Sequence, residues 1–112
     1  MTCAVAPALI AVFTTLPDEA SAHTLAEALV REGLAACVQL HAIRSVYTWQ
    51  GALQRDAEWR LLAKCRAEAW PQVRDFIAAH HPYELPAIWA TPIEASAAYA
   101  EWVAASTQPG GA

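Results

Sequence analysis

The chain has 112 residues, the length of one domain, and carries a formal net charge of −4 with no grouping of Lys and Arg. That excludes the phosphate-neutralising surface a nucleic-acid binder needs, and no apolar run reaches the ~20 residues of a membrane span. Apolar residues make up 56% of the chain, tryptophan alone supplying five, against a usual ~45–50%, so part of the apolar surface is expected to lie between subunits.

The first apolar run, Leu9 to Thr15, reads as a short strand bounded by Pro17. Asp18 is placed to cap a helix, because its carboxylate can accept from the free amides of a first turn. Ala22, Leu25, Ala26, Leu29 and Val30 recur at helical spacing and are expected to share one buried face. Gly33 ends that helix, as glycine reaches a left-handed C′ conformation at least cost. Ala36 to Trp49 is rich in Val, Ile, Tyr and Thr, which suit a pleated surface. Gln50-Gly51 is a turn signal. Glu58 to Arg66 returns as a strand, with Trp59, Leu61, Ala63 and Cys65 on one face and Arg60, Leu62, Lys64 and Arg66 on the other. The two strands form one long hairpin, along which Glu58, Arg60 and Lys64 suggest a cross-strand ion pair. Its tip, with Tyr47 and Trp49, is expected to project.

Pro71 fits the first turn of a second helix, where its missing N–H costs nothing. Val73, Phe76, Ile77 and His80 share a face of it. Leu85 to Ile93 reads as a strand, and Pro86 and Pro92 mark it as an edge or bulged one. Ser96 caps a last helix expected to turn Tyr99, Trp102 and Val103 inward. The order β, α, β, β, α, β with a final helix predicts an α+β, ferredoxin-like βαββαβ sandwich with an additional C-terminal helix. The whole chain, 1–112, reads as one domain, with 107–112 a disordered tail.

Three widely spread cysteines do not make a disulfide framework, so reduced thiols and a cytoplasmic location are expected. The apolar start has no basic residue ahead of it and is not expected to be a secretory signal. Only Gly33, Gly51, Gly110 and Gly111 occur, so there is no glycine-rich phosphate loop.

The chemistry concentrates in His80-His81-Pro82-Tyr83-Glu84-Leu85-Pro86, a helix-to-strand corner whose prolines restrict the backbone. Upstream, Leu34-Ala35-Ala36-Cys37-Val38 offers a thiol in an apolar run. With Thr14-Thr15, Ser45-Val46-Tyr47-Thr48-Trp49-Gln50-Gly51, Glu58, Lys64, Pro92-Ile93 and Tyr99-Ala100-Glu101-Trp102, these segments occur in the order of a known family. The chain resembles the CutA divalent-cation tolerance proteins from about Leu9 to about Ser106. That resemblance implies a ferredoxin-like subunit, a tight homotrimer similar in outline to the PII signal proteins, and a link to copper and other divalent ions. It also implies that the family's proposed thiol and imidazole ligands fall on Cys37 and His81. Two positions depart from the family pattern. Ala87 stands where a glutamate is common, and Cys65 follows Lys64 where threonine is usual.

Thiolate and imidazole together suit copper or zinc, and two ligands do not complete a site, so Glu84, water or a second subunit is expected to contribute. The plainer roles stand beside these. Cys37 can be a small buried hydrophobe, His81 can hold the corner by a ring hydrogen bond, and Tyr83 and Glu84, which can serve a cleft between subunits, can instead hydrogen-bond corner backbone groups. The expectation is therefore a homotrimer, not an enzyme, that binds a copper-type divalent cation weakly through Cys37, His81 and Glu84. The alternative is a PII-like signalling or scaffold trimer whose clefts take a small ligand or protein partner. A small hydrolase on the same fold rests on fold analogy alone.

Overall fold

Strand β1 (Leu9–Leu16) is buried on both faces, with Val12 and Leu16 sealed in the core. That position at the centre of a sheet explains its near-continuous apolar run. The protein is described here by a computed structural model covering residues 6–109, so Cys3 and residues 110–112 lie outside the described residues. Helix α1 (Glu19–Arg31) opens where the Asp18 carboxylate accepts from the Ser21 amide at 2.7 Å. It closes at Gly33, φ +72°, with the Gly33 amide on the Val30 carbonyl and the Leu34 amide on the Leu29 carbonyl, each at 3.0 Å. This paired closure uses two carbonyls the helix would otherwise leave unsatisfied.

Strands β2 (Cys37–Trp49) and β3 (Ala52–Arg66) form one antiparallel hairpin. Gln50 and Gly51 both take positive φ (52° and 80°), the twist a two-residue hairpin turn requires. Helix α2 (Trp70–His80) carries Pro71 in its first turn and follows a short 3-10 turn at Ala67–Ala69. Strand β4 (Ile88–Ile93) and helix α3 (Ala97–Ala105) complete the chain.

The sheet order is β2-β3-β1-β4 with every pairing antiparallel, as expected for the ferredoxin-like arrangement. β4 is an edge strand, which is why Pro92 is tolerated there. One sheet face packs Ile10, Val12, Leu61, Ala63 and Cys65 against Leu25, Leu29, Val73 and Ile77 of α1 and α2. A fully buried Leu or Ile contributes about 1.5–3 kcal/mol, so this layer holds the fold. Helix α3 lies elsewhere, its Ala100 and Val103 against Leu9 and Ile93.

The register explains an elongated shape of 60 × 23 × 21 Å. β1 stops pairing at Leu16–Trp59, yet β2 and β3 stay paired from Ile43–Glu58 out to Trp49–Ala52. The outer hairpin is thus a two-stranded ribbon, an arrangement marginal in water on its own.

Several expectations change. β3 begins at Ala52, not Glu58, because its outer half pairs with β2 despite its polar composition. β4 begins at Ile88, since Pro86 cannot join a ladder. Val30 and Trp102 are exposed rather than inward, because only part of each helix's apolar stripe meets the sheet. Glu58 forms no ion pair among the described residues, and Lys64 lies over the Tyr99 ring instead. Thr107, expected in a loose tail, is buried: its hydroxyl donates to the Val103 carbonyl at 2.8 Å and accepts from Arg66 Nε at 3.0 Å.

Candidate functional site

His81 ends α2 and is held from both sides of its ring. Nδ1 accepts from the Tyr83 amide at 3.1 Å, which leaves Nε2 as the protonated nitrogen. Nε2 then donates to the Thr15 carbonyl at 2.9 Å, with the Thr14 hydroxyl at 3.0 Å. The Thr14 side chain is fully buried, so the imidazole is its polar partner in the core. Burial holds the His81 pKa below the ordinary imidazole range, despite the Thr15 carbonyl and the nearby Glu58. His81 is therefore a neutral corner brace, and its neighbour His80 likewise turns Nδ1 onto the Phe76 carbonyl.

From this brace the chain carries Tyr83 past the end of β1. Its phenol donates to Glu58 Oε2 at 2.7 Å, on the first β3 residue beyond the β1 pairing. Glu58 is only 7% exposed. Burial, and then the carboxylate itself, raise the Tyr83 pKa above that of an ordinary phenol. The other Glu58 carboxylate oxygen has no hydrogen-bond partner among the described residues. Farther along the ribbon the Tyr47 phenol donates to Asp56, and that bond raises the Tyr47 pKa.

These groups line a cleft of about 720 Å³ between the corner and the outer hairpin. Tyr47, Trp49 and Tyr83 supply aromatic surface, Leu85 and Val46 aliphatic surface, and Glu58 and Glu84 carboxylates. Ala87 also lines it. Sequence reasoning singled out Tyr83 and Glu84 but missed Glu58 as a cleft residue. The sequence marked Glu58 as an ion-pair candidate on the polar face of β3 and as part of the family pattern, and neither signal tied it to Tyr83.

Cys37 lies elsewhere. It opens β2 opposite Lys64, which in turn faces Ala11 on β1. Thr14 and Thr15, the partners of His81, lie farther along β1. Two strand spacings and that offset put about 15 Å between Cys37 and the His81 ring's partners. Within one subunit the structure does not bring Cys37 and His81 together. Glu84 is exposed on the cleft. Among the described residues no group of three or more His, Cys, Asp or Glu side chains is gathered as for a metal ion. Nor is any helix there long and apolar enough to cross a membrane.

Comparison with known proteins agrees with the fold. The family described as CutA1 divalent ion tolerance protein matches residues 10–106. The divalent-cation tolerance protein CutA of Thermus thermophilus is 42% identical over 98 residues, covering 86% of this chain and 95% of that protein. Protein CutA of Homo sapiens is 37% identical over 88% of this chain, which spans 56% of the human protein. Among solved structures, CutA1 from Oryza sativa superposes with a TM-score of 0.88 at 35% identity, covering 92% of this chain and 96% of that one. The Cut A1 structure from Thermus thermophilus gives a TM-score of 0.84 at 40% identity, covering 89% and 99%.

Proposed function

The chain belongs to the CutA1 divalent ion tolerance family, and from that membership we propose that it acts in divalent-cation tolerance as a cytoplasmic homotrimer without enzymatic activity. It meets copper-type ions weakly and transiently, as cargo, and holds no resident ion. Family membership carries this reading. The scatter of donors supports the transient part of it. The Cys37 and Glu84 side chains have no hydrogen-bond partner among the described residues and can each meet an ion, whereas His81 would first have to give up a ring hydrogen bond. A soft thiol favours copper over harder ions.

Assembly is supported by what one subunit leaves uncovered. Val46, Leu53, Trp89 and Trp102 are large, apolar and exposed, and the outer ribbon lacks a third strand. On the sheet face away from α1 and α2, Trp89 stacks on Phe13 and Arg60 lies over Phe13, its Nε buried without an acceptor among the described residues. A second subunit would supply cover and an acceptor.

The test is anaerobic titration of the apo protein with copper, beside Cys37→Ser, His81→Ala and Glu84→Gln. Weakened binding in Cys37→Ser and Glu84→Gln, with His81→Ala close to wild type, is expected. Equal affinity in wild type and Cys37→Ser removes the thiol contact. Loss of binding in His81→Ala restores the imidazole as a ligand.

One observation favours a second reading, a PII-like trimer that takes a small ligand in a cleft: the aromatic and carboxylate groups around Tyr83 enclose a cavity of about 720 Å³. That is within the range of ligand sites, ~300–1,000 Å³.

A further inference from the structure

We propose that helix α3 is a lid over the start of β2, latched by Arg66, and that its opening controls access to the Cys37 thiol. The proposal rests on the reading above that this thiol meets soft ions, and adds how that contact is regulated. Cys37 and its register partner Lys64 share one sheet face. The Lys64 ammonium lies 5.4 Å from the centre of the Tyr99 ring on α3. Ala36, the residue before Cys37, packs with Tyr99 against the cluster of Leu9, Ala100 and Val103. Helix α3 thus sits where it shields Cys37, which is partly buried.

The helix docks in a manner suited to opening. Its buried side chains, Ala100 and Val103, belong to a cluster separate from the layer beneath α1 and α2. Nine residues are too few to hold a helix alone in water, so α3 depends on what it docks against. Arg66 on β3 supplies the polar part of that docking. Its Nε donates to the Thr107 hydroxyl at 3.0 Å, and its Nη2 donates to the Thr107 carbonyl at 3.3 Å and to the Ala104 carbonyl. Gln108 continues the latch, its amide donating to the Gly33 carbonyl at 2.8 Å. The Arg66 side chain is 22% exposed, so water can take over its bonds at a modest net cost. Opening the main core would instead expose Leu61, Val73 and Ile77, all fully buried. The lid can therefore lift while tethered through 94–96, with the core still shut.

Thiol labelling of the full chain in a Cys3→Ser background tests this. One protein concentration is used throughout, because Trp102 on α3 is exposed and a subunit covering it would hold the lid shut. Cys65, in the main core, is the internal control. Arg66→Met removes the latch and keeps an apolar stem. It is expected to speed Cys37 labelling about tenfold or more and leave Cys65 unchanged, since bonds from a charged donor are the strong kind. Thr107→Val removes the hydroxyl alone, should give a smaller rise in the same direction, and covers the case in which Arg66→Met does not fold. Wild-type Cys37 labelling as fast as in the urea-unfolded chain overturns the proposal. So does Cys37 labelling that both variants leave unchanged, or that rises only in step with Cys65, as in general unfolding. Copper titration separates this proposal from the reading beneath it: gated labelling, with a copper affinity that Cys37→Ser does not alter, keeps the lid and removes the ion contact.

Discussion

Replacing His81 with alanine tests the brace at the centre of the site. The ring makes three hydrogen-bond contacts among the described residues, to the Thr15 carbonyl, the Thr14 hydroxyl and the Tyr83 amide, at 2.9, 3.0 and 3.1 Å. Thr14 is fully buried, so water cannot replace the ring there, and an unsatisfied buried group costs about 1–3 kcal/mol. Thr15 and the Tyr83 backbone are only partly buried and can recover water, at a loss nearer ~0.5–1 kcal/mol together. The sum is about 1.5–4 kcal/mol, read by urea unfolding at fixed protein concentration, since assembly couples to stability. The pH profile carries a second signature. Burial lowers the folded-state pKa of His81, so below the unfolded value of about 6.5 the unfolded chain holds the proton more readily. The stability contributed by the neutral ring is complete above that value and is lost as pH falls through the folded pKa. The wild type should therefore lose stability relative to His81→Ala as pH drops below about 6.5. A variant within 0.5 kcal/mol of wild type, roughly the spread of neutral surface changes, with a parallel pH profile, would refute the brace.

Other outcomes follow from the same geometry. Trp49→Ala should destabilise the assembly by the ~3–5 kcal/mol typical of a truncated aromatic if neighbouring subunits cover it, and so lower the melting temperature; an unchanged mass by light scattering and an unchanged melt would mean the ring is merely exposed. Light scattering of the wild type should give three times the 12.1 kDa subunit mass, and a monodisperse monomer at micromolar concentration would end the trimer reading. Gly33→Ala meets both a positive φ of 72° and the Gln108 side chain at 2.9 Å, and should destabilise by at least ~1 kcal/mol in thermal or urea unfolding. In a Cys3→Ser background, Cys37 should react with a thiol reagent well before Cys65, whose thiol burial pushes up to about 12; equal rates would show that the core opens as fast as the surface reacts.

Much of this molecule is legible in its sequence because the signals are local. Asp18 and Ser96 cap helices through amides three residues away, and Gln50-Gly51 closes a turn whose φ values few other pairs adopt cheaply. Alternation along β3 sorts Leu61, Ala63 and Cys65 into the core without reference to any distant residue. Motif order along the chain was enough to suggest the family. The site was not settled that way, because its partners are remote in the chain. Tyr83 meets Glu58 only because the corner after α2 crosses the end of β1, where β3 runs on paired with β2 alone. The family resemblance pairs Cys37 with His81 as ligands, yet within one subunit the order β2-β3-β1-β4 sets them apart by two strand spacings and a register offset. Periodicity likewise marked Val30 and Trp102 as inward, but the breadth of sheet available to each helix left them in solvent. Local chemistry determines which elements form. Which side chains share a cleft depends on register and sheet order, which are properties of the packed whole.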